Sequence, residues 1–316
     1  MIKTKNRKFK LLIILLFMVF LTGCTKVLED PETKKAVINP VTGQSLTQNI
    51  LCQPTDKESI KLYEEYREIV DIQKLPVCKN FKITSGGYEG LWNSIFVKPL
   101  AWLIIKIGNI VKSYGLSLII TSLLIRLVAF PITKKTAVQS ELIAKAKPEL
   151  ERLEVKYKDK NDQASMMKKS QEMTMIYKKY NINPVAGCLY AFLQIPLFIA
   201  FLEAINRVPA IFEENFIGFQ LGTTPIIGMQ NGNFLYLIII AIVGVTTYFS
   251  FKLNSTSADA NKQSGSMNKI MVIVITIMSV FMSSALGIYW ITTNLFTVGQ
   301  NLLVKRSKKL NGKVRV

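Results

Sequence analysis

Five runs of apolar residues, each near the length of a bilayer crossing, constrain the fold of this chain more than any other feature. They cover about residues 114–132, 184–205, 234–253, 267–282 and 285–304. A helix rises about 1.5 Å per residue and the hydrocarbon core is about 30 Å thick, so about 20 apolar residues suffice to span it. The run at 267–282 is only 16 residues long, which is short for an ordinary core. Hydrophobic residues make up 49% of the chain. A soluble protein would spread them as amphipathic stripes, whereas here they gather in blocks. The pattern predicts an all-α integral membrane protein.

The charge of +19 is segregated as strictly as the apolar residues. Between the first two runs lie Lys134, Lys135, Lys145, Lys147, Arg152, Lys156 and six further basic residues, and the tail at 305–316 carries Lys305, Arg306, Lys308, Lys309, Lys313 and Arg315. The loop at 206–233 has Arg207 as its only basic residue. By the positive-inside rule the segment 133–182, the loop 254–266 and the tail are cytoplasmic. Topology thus accounts for the basic excess, with no need for sequence-specific nucleic-acid binding.

The N-terminus gives an independent orientation. Lys3, Lys5, Arg7, Lys8 and Lys10 precede a short apolar stretch from Leu11 to Leu21, as in a secretory signal. It ends in Leu21-Thr22-Gly23-Cys24, which resembles a bacterial lipobox. That reading makes 1–23 a lipoprotein signal peptide and Cys24 the acylated first mature residue, tethering 24–91 outside the membrane. An outer N-terminus and an inner tail require an odd number of spans, and five satisfies this. Within the polar outer segment, Glu58 to Ile72 has the pattern of one amphipathic helix, and Gly86, Gly87 and Gly90 mark a turn. Cys52 and Cys78 lie where a disulfide is chemically permitted, and two free thiols are the alternative. Cys188, inside an apolar run, reads as a small packing residue.

Two further helical features flank the first span. Residues 92–113 mix apolar positions with Lys98, Lys106, Asn109, Trp92 and Trp102, which suits a helix lying at the interface. In 133–182, Val138, Leu142, Ala146, Leu150, Leu153 and Tyr157 recur at helical spacing, as do Met166, Ser170, Met173 and Tyr177. The turn Lys158-Asp159-Lys160-Asn161-Asp162 separates them, so a cytoplasmic helical hairpin is expected, kinked near Pro148. Asn183-Pro184 has the form of a cap and first-turn proline opening the second span.

One residue contradicts its surroundings. Arg126 stands ten residues beyond Leu116, roughly 15 Å along the first span. Arginine at mid-helix costs about 2.5–3.5 kcal/mol on insertion scales. Glu203 lies near the outer end of the second span, so no ion-pair partner is evident and water in a hydrophilic cavity is the expected solvent for the guanidinium; a structural arginine bonded to backbone carbonyls or snorkelling to the inner surface is the alternative. Other polar residues are spaced to line such a cavity. Ser122 is one turn from Arg126; Gln194 is mid-span before Pro196; Trp290, Asn294, Thr297 and Asn301 share a face. Thr247, Ser250 and Asn254 share another, as do Thr276, Ser279 and Ser283. Singly, each is an ordinary helix–helix contact.

The chain contains no histidine, which excludes Ser-His-Asp and Cys-His catalysis. It also lacks the Gly-x-x-x-x-Gly-Lys-Ser/Thr phosphate loop. Neither an enzyme nor a bound cofactor is expected.

Several motifs stand in a telling order. Leu124-Ile125-Arg126-Leu127 is followed by Pro131-Ile132-Thr133, then Asn183-Pro184 with Gly187-Cys188, then Gln194-Ile195-Pro196-Leu197-Phe198, then Gly287-Ile288-Tyr289-Trp290 with Asn294. Over about residues 92–306 the chain resembles the YidC/Oxa/Alb membrane insertase family, in its shorter, lipoprotein-type Gram-positive form. The resemblance implies five transmembrane helices around a hydrophilic groove with Arg126, Gln194 and Trp290 lining it. It implies nascent membrane proteins as clients, released along the third and fifth spans, with the Sec translocon, the ribosome and the signal recognition pathway as partners. A small-anion transporter or channel using Arg126 as ligand is the alternative class. It would carry inverted repeats and broken helices, which the sequence does not display.

Overall fold

Residues 25–53 double back on themselves through antiparallel bridges pairing Val27 with Thr47, Glu29 with Ala36 and Ile38 with Ser45. The computed structural model describes residues 25–160, 162–253 and 262–313; at 184–193, 262–267 and 307–313 it describes the helix path alone. The predicted signal peptide, Cys24, Asn254 and the side chain of Cys188 lie outside the described residues. The chain divides into two compact units. One comprises Met1–Thr121, Ile195–Leu237 and Met282–Ile288, the other Ser122–Gln194, Ile238–Phe281 and Tyr289–Val316.

The first unit owes its shape to tight turns and a small core. Asp30 closes one turn by accepting from the Thr33 N–H and hydroxyl, which holds its carboxyl down at about 2. Gly43 closes another at φ +69°, a conformation that suits glycine. Leu28, Val37 and Leu46 then point inward and join Ile50, Tyr63, Val70 and Ile72 in one cluster. Helix α1 (Lys57–Glu65) starts at Asp56, which accepts from the Ser59 N–H at 2.9 Å. The sequence predicts this helix through Ile72, but it ends at Glu65, and the chain turns so that Val70 and Ile72 rejoin the cluster around Tyr63. Burial of those two side chains outweighs helix propensity here. Cys52 and Cys78, both buried, form a disulfide with Cα atoms 4.8 Å apart.

A π-type turn at Asn93–Val97 leads into α2 (Lys98–Val111), which ends where Lys112 adopts φ +56°. Helix α3 (Tyr114–Lys156) follows almost at once. Its N-terminus rests on the Glu214 carboxylate, which accepts from the Ser113 hydroxyl at 2.7 Å and from the N–H groups of Tyr114 and Gly115. An anion there offsets the positive end of the helix dipole.

Helix α4 (Gln163–Lys179) and helix α5 (Pro184–Arg207) come next in the chain. Between α5 and α8 (Tyr236–Leu253) lie α6 (Pro209–Phe212), a hairpin of β1 (Asn215–Phe216) and β2 (Phe219–Gln220), and α7 (Pro225–Gln230). Ile217 and Gly218, both at positive φ, form the hairpin turn. Residues 42–55 are bonded to this connection. The Leu51 N–H donates to the Arg207 carbonyl at 2.8 Å, the Thr55 hydroxyl to Glu213 at 2.6 Å, and the Thr223 hydroxyl to the Thr42 carbonyl at 3.0 Å.

In the second unit the longest element is the Ser122–Lys156 portion of α3. The whole helix has 43 residues, about 65 Å at helical rise, roughly twice a hydrocarbon core. The sequence predicts a span ending near 132 and a separate hairpin helix after it. Pro131 and Pro148 do not divide the helix. Helix α4 packs antiparallel along its end. Ile143, Ala146, Leu150 and Ile182 form the buried seam, with Met173, Ile176 and Tyr177 against it. Ion pairs Lys156–Glu172, Lys169–Glu154 and Lys179–Glu149 flank that seam. Helices α9 (Lys262–Ser279) and α10 (Ser284–Lys313) complete the element order.

Among the described residues three helices are long and apolar enough to cross a membrane: Asn93–Val111, α3 and α8; Asn268–Ser279 is apolar but shorter. The first of these is the segment whose charges predict an interfacial helix. Its Lys98 is not presented to headgroups: the ammonium is fully buried, donating to the carbonyls of Ser85 and Gly87 and pairing with Glu89 at 2.9 Å. The pairing of Lys98 with Glu89 could not be read from spacing. Helices α8 and α9 expose Ile238, Ile242, Val245, Ile270, Ile273 and Ile277. So much uncovered aliphatic surface marks lipid as the neighbouring phase.

Candidate functional site

Arg126 is carried mid-helix on α3, with Ser122 buried one turn before it. Only 4% of the arginine is exposed. Its Nη2 donates to Gln194 Oε1 of α5 at 2.5 Å. The structure meets the guanidinium with a neutral amide 68 positions away, a distance that spacing alone does not reveal. Pro196 follows Gln194 within α5.

Helix α10 supplies the remaining predicted residues. Trp290 and Asn294 are one turn apart, and both turn toward α8. The indole Nε1 donates to Thr247 Oγ1 at 3.0 Å, and the Asn294 amide donates to the same oxygen at 2.9 Å. Thr297 is buried and donates its hydroxyl to the Thr293 carbonyl at 2.8 Å, while the Asn301 amide donates to the Thr297 carbonyl. Two groupings result: Arg126 with Gln194, and Trp290 with Asn294 at Thr247.

Of the polar residues that looked like a lining, Arg126, Gln194, Trp290 and Asn294 therefore also make cross-helix contacts, while Thr297 and Asn301 bond within α10. A further one escaped the sequence reading: Thr133 donates to Gln300 Oε1 at 3.1 Å, joining α3 to α10 beside an edge-to-face contact of Phe130 and Phe296. Gln300 was legible only as a polar residue within an apolar run. Such bonds contribute on the order of 0.6 kcal/mol each in a membrane. Thr247 was expected on a polar face with Ser250; its use as a shared acceptor was not.

A second polar cluster, not anticipated, lies in the first unit. Arg207 donates to the Asn49 carbonyl at 2.6 Å, to Asn93 at 2.8 Å and to Glu89 at 2.5 Å, and Trp92 donates to Glu203 at 2.9 Å. Burial alone would raise the Glu89 carboxyl, but the Lys98 hydrogen bond and the Arg207 charge outweigh it and hold it below the ordinary value. No group of His, Cys, Asp and Glu suited to a metal occurs among the described residues.

Residues 106–311 match the family described as the 60Kd inner membrane protein. This chain belongs to that family. "Membrane protein insertase YidC" of Oceanobacillus iheyensis is 34% identical over 226 residues, covering 69% of this chain and 85% of the relative. "Membrane protein insertase MisCA" of Bacillus subtilis (strain 168) is 34% identical over 216 residues, covering 68% and 79%. Among solved structures, "Active YidC insertase crystal structure with the first transmembrane domain resolved" matches with a TM-score of 0.51 at 21% identity. That match covers 77% of this chain and 52% of the solved one, so the chain spans about half of that protein's length; the likeness is one of fold. Arg126, Gln194, Trp290 and Asn294 fall inside the matched region of the 60Kd inner membrane protein family, and the Cys52–Cys78 disulfide falls outside it.

Proposed function

We propose that this chain is a membrane protein insertase in which Arg126 receives the polar outer segment of a client as it crosses. The observation that carries this reading is the bond from Arg126 to the Gln194 amide within apolar helices. A mid-span arginine is costly, and an intramembrane ionisable residue is by default a functional one. Gln194 satisfies part of the guanidinium with a neutral oxygen. A carboxylate forms a charge-assisted bond about twice as strong. A client carboxylate arriving at Arg126 therefore displaces the amide, and at no stage is the charge left bare in the membrane.

Client hydrophobicity then drives release into lipid. The names of the relatives, both called membrane protein insertases, support the reading. In this scheme Cys24 is acylated and tethers 24–91 outside, residues 92–113 lie at the outer interface, and five spans follow. The packed pair of α3 end and α4 stands in the cytoplasm as the hairpin at 133–182, with the tail at 305–316 beside it. Nascent chains, the Sec translocon, the ribosome and the signal recognition pathway are its proposed partners there, and membrane lipids surround the core.

The test is depletion of the wild-type protein with complementation by Arg126→Ala and Arg126→Lys. Insertion of a client with an acidic outer tail is read by protease protection. Arg126→Ala is expected to impair it and Arg126→Lys to retain most of it. Undiminished insertion by both variants defeats the reading, and anion flux into liposomes carrying the purified protein would favour the transporter class instead.

A further inference from the structure

We propose that Thr247 is a positioning residue that fixes Trp290 and Asn294, and through them the face that α10 offers a client. The inference rests on the insertase reading above. Thr247 is fully buried, and its single oxygen receives both the indole N–H and the amide N–H. A hydroxyl oxygen has two acceptor lone pairs, so these two donors use its whole accepting capacity. Trp290 and Asn294 are spaced by four residues on α10, which places both on one side of the helix within reach of the same atom.

The acceptor is itself held in place. Gly244, three residues earlier on α8, lies so close to α9 that a Cβ there would stand 3.1 Å from Thr276 Oγ1. The α8 backbone is thereby fixed against α9 one turn from the point where Thr247 meets α10. A buried donor that loses its acceptor is costly to leave unmet. Removing the oxygen obliges the indole and the amide to find other partners, and both leave their present orientation.

Thr247→Val keeps the volume and removes the oxygen; Thr247→Ser keeps the oxygen and removes the methyl group. In proteoliposomes, Thr247→Val is expected to lower insertion of an acidic-tailed client about five- to tenfold, the effect of two intramembrane hydrogen bonds. Thr247→Ser is expected to restore it. The indole N–H resonance of Trp290, assigned with Trp290→Phe, should shift in the valine variant and stay in place in the serine variant. A double-mutant cycle of Thr247→Val with Asn294→Leu should be less than additive. Wild-type insertion by the valine variant, equal failure of valine and serine, or an additive cycle each overturns the proposal. If the valine variant does not fold, Thr247→Ser and the Asn294→Leu variant in its background decide the matter by the same readouts. Arg126→Ala in the same assay separates the two readings: its failure with Thr247→Val intact removes only this inference, and its full activity removes the insertase reading beneath it.

Discussion

Arg126 Nη2 and Gln194 Oε1 lie 2.5 Å apart across 68 positions of sequence, one on α3 and one on α5. Gln194→Glu would place a carboxylate where the amide stands and give the guanidinium a permanent counter-ion. Insertion of acidic-tailed clients is expected to fall, because the client must then displace an ion pair. Gln194→Leu withdraws this acceptor from a buried charge and is expected to cost about 1–3 kcal/mol of stability. Thermal unfolding in detergent, set beside the insertion assay, checks both; an active, acid-tolerant Gln194→Glu protein would refute the exchange.

The disulfide between Cys52 and Cys78 closes a loop with a sequence separation of 26. On the chain-entropy account such a cross-link stabilises by about 3 kcal/mol. Cys52→Ser with Cys78→Ser should lower the unfolding midpoint of the outer segment, and reductant should reproduce the loss in the wild-type protein. Superimposable denaturation curves with and without reductant would remove the bridge from the account of stability.

Glu89 gives a pH dependence of known sign. Its carboxyl is held below the ordinary 4.5 because Lys98 and Arg207 outweigh its burial. A depressed folded value stabilises fully above the ordinary value, and the contribution is lost as pH falls from there through the folded value. The wild-type midpoint should therefore drop on acidification below about 4.5 more steeply than that of Glu89→Gln. Parallel curves for the two proteins would assign the acid sensitivity to other carboxylates.

The pair formed by α4 and the end of α3 separates packing from charge. Leu150 is 2% exposed within the buried seam, and Leu150→Ala should cost about 2–5 kcal/mol. Lys156 pairs with Glu172 at 2.8 Å, but its side chain is 54% exposed, so Lys156→Ala should cost under about 1 kcal/mol. Limited proteolysis near Lys158 reports both. Faster cleavage of the Lys156→Ala protein than of the Leu150→Ala protein would reverse the ranking.

The apolar runs, their basic flanks and Arg126 were legible in the sequence because lipid enforces a one-dimensional rule. A crossing helix must be apolar over a fixed length, and charge must sort to one side. Membrane class and the anomalous arginine follow from that rule alone. The end of α1 at Glu65, the burial of Lys98 and the continuity of α3 through Pro131 and Pro148 did not follow, since each depends on contacts distant in sequence.

The same division runs through the site. Spacing put Trp290 and Asn294 on one helical face, a property of the 3.6-residue period. Only the tertiary structure decided that this face meets Thr247, that Gln194 meets Arg126, and that Thr133 meets Gln300. A polar side chain in an apolar helix must find a partner, in its own helix as Thr297 does or on a neighbour as Trp290 does, so the sequence determined only that such bonds would exist. Which partner each finds is set by how neighbouring helices pack, and that is information a single helix does not contain.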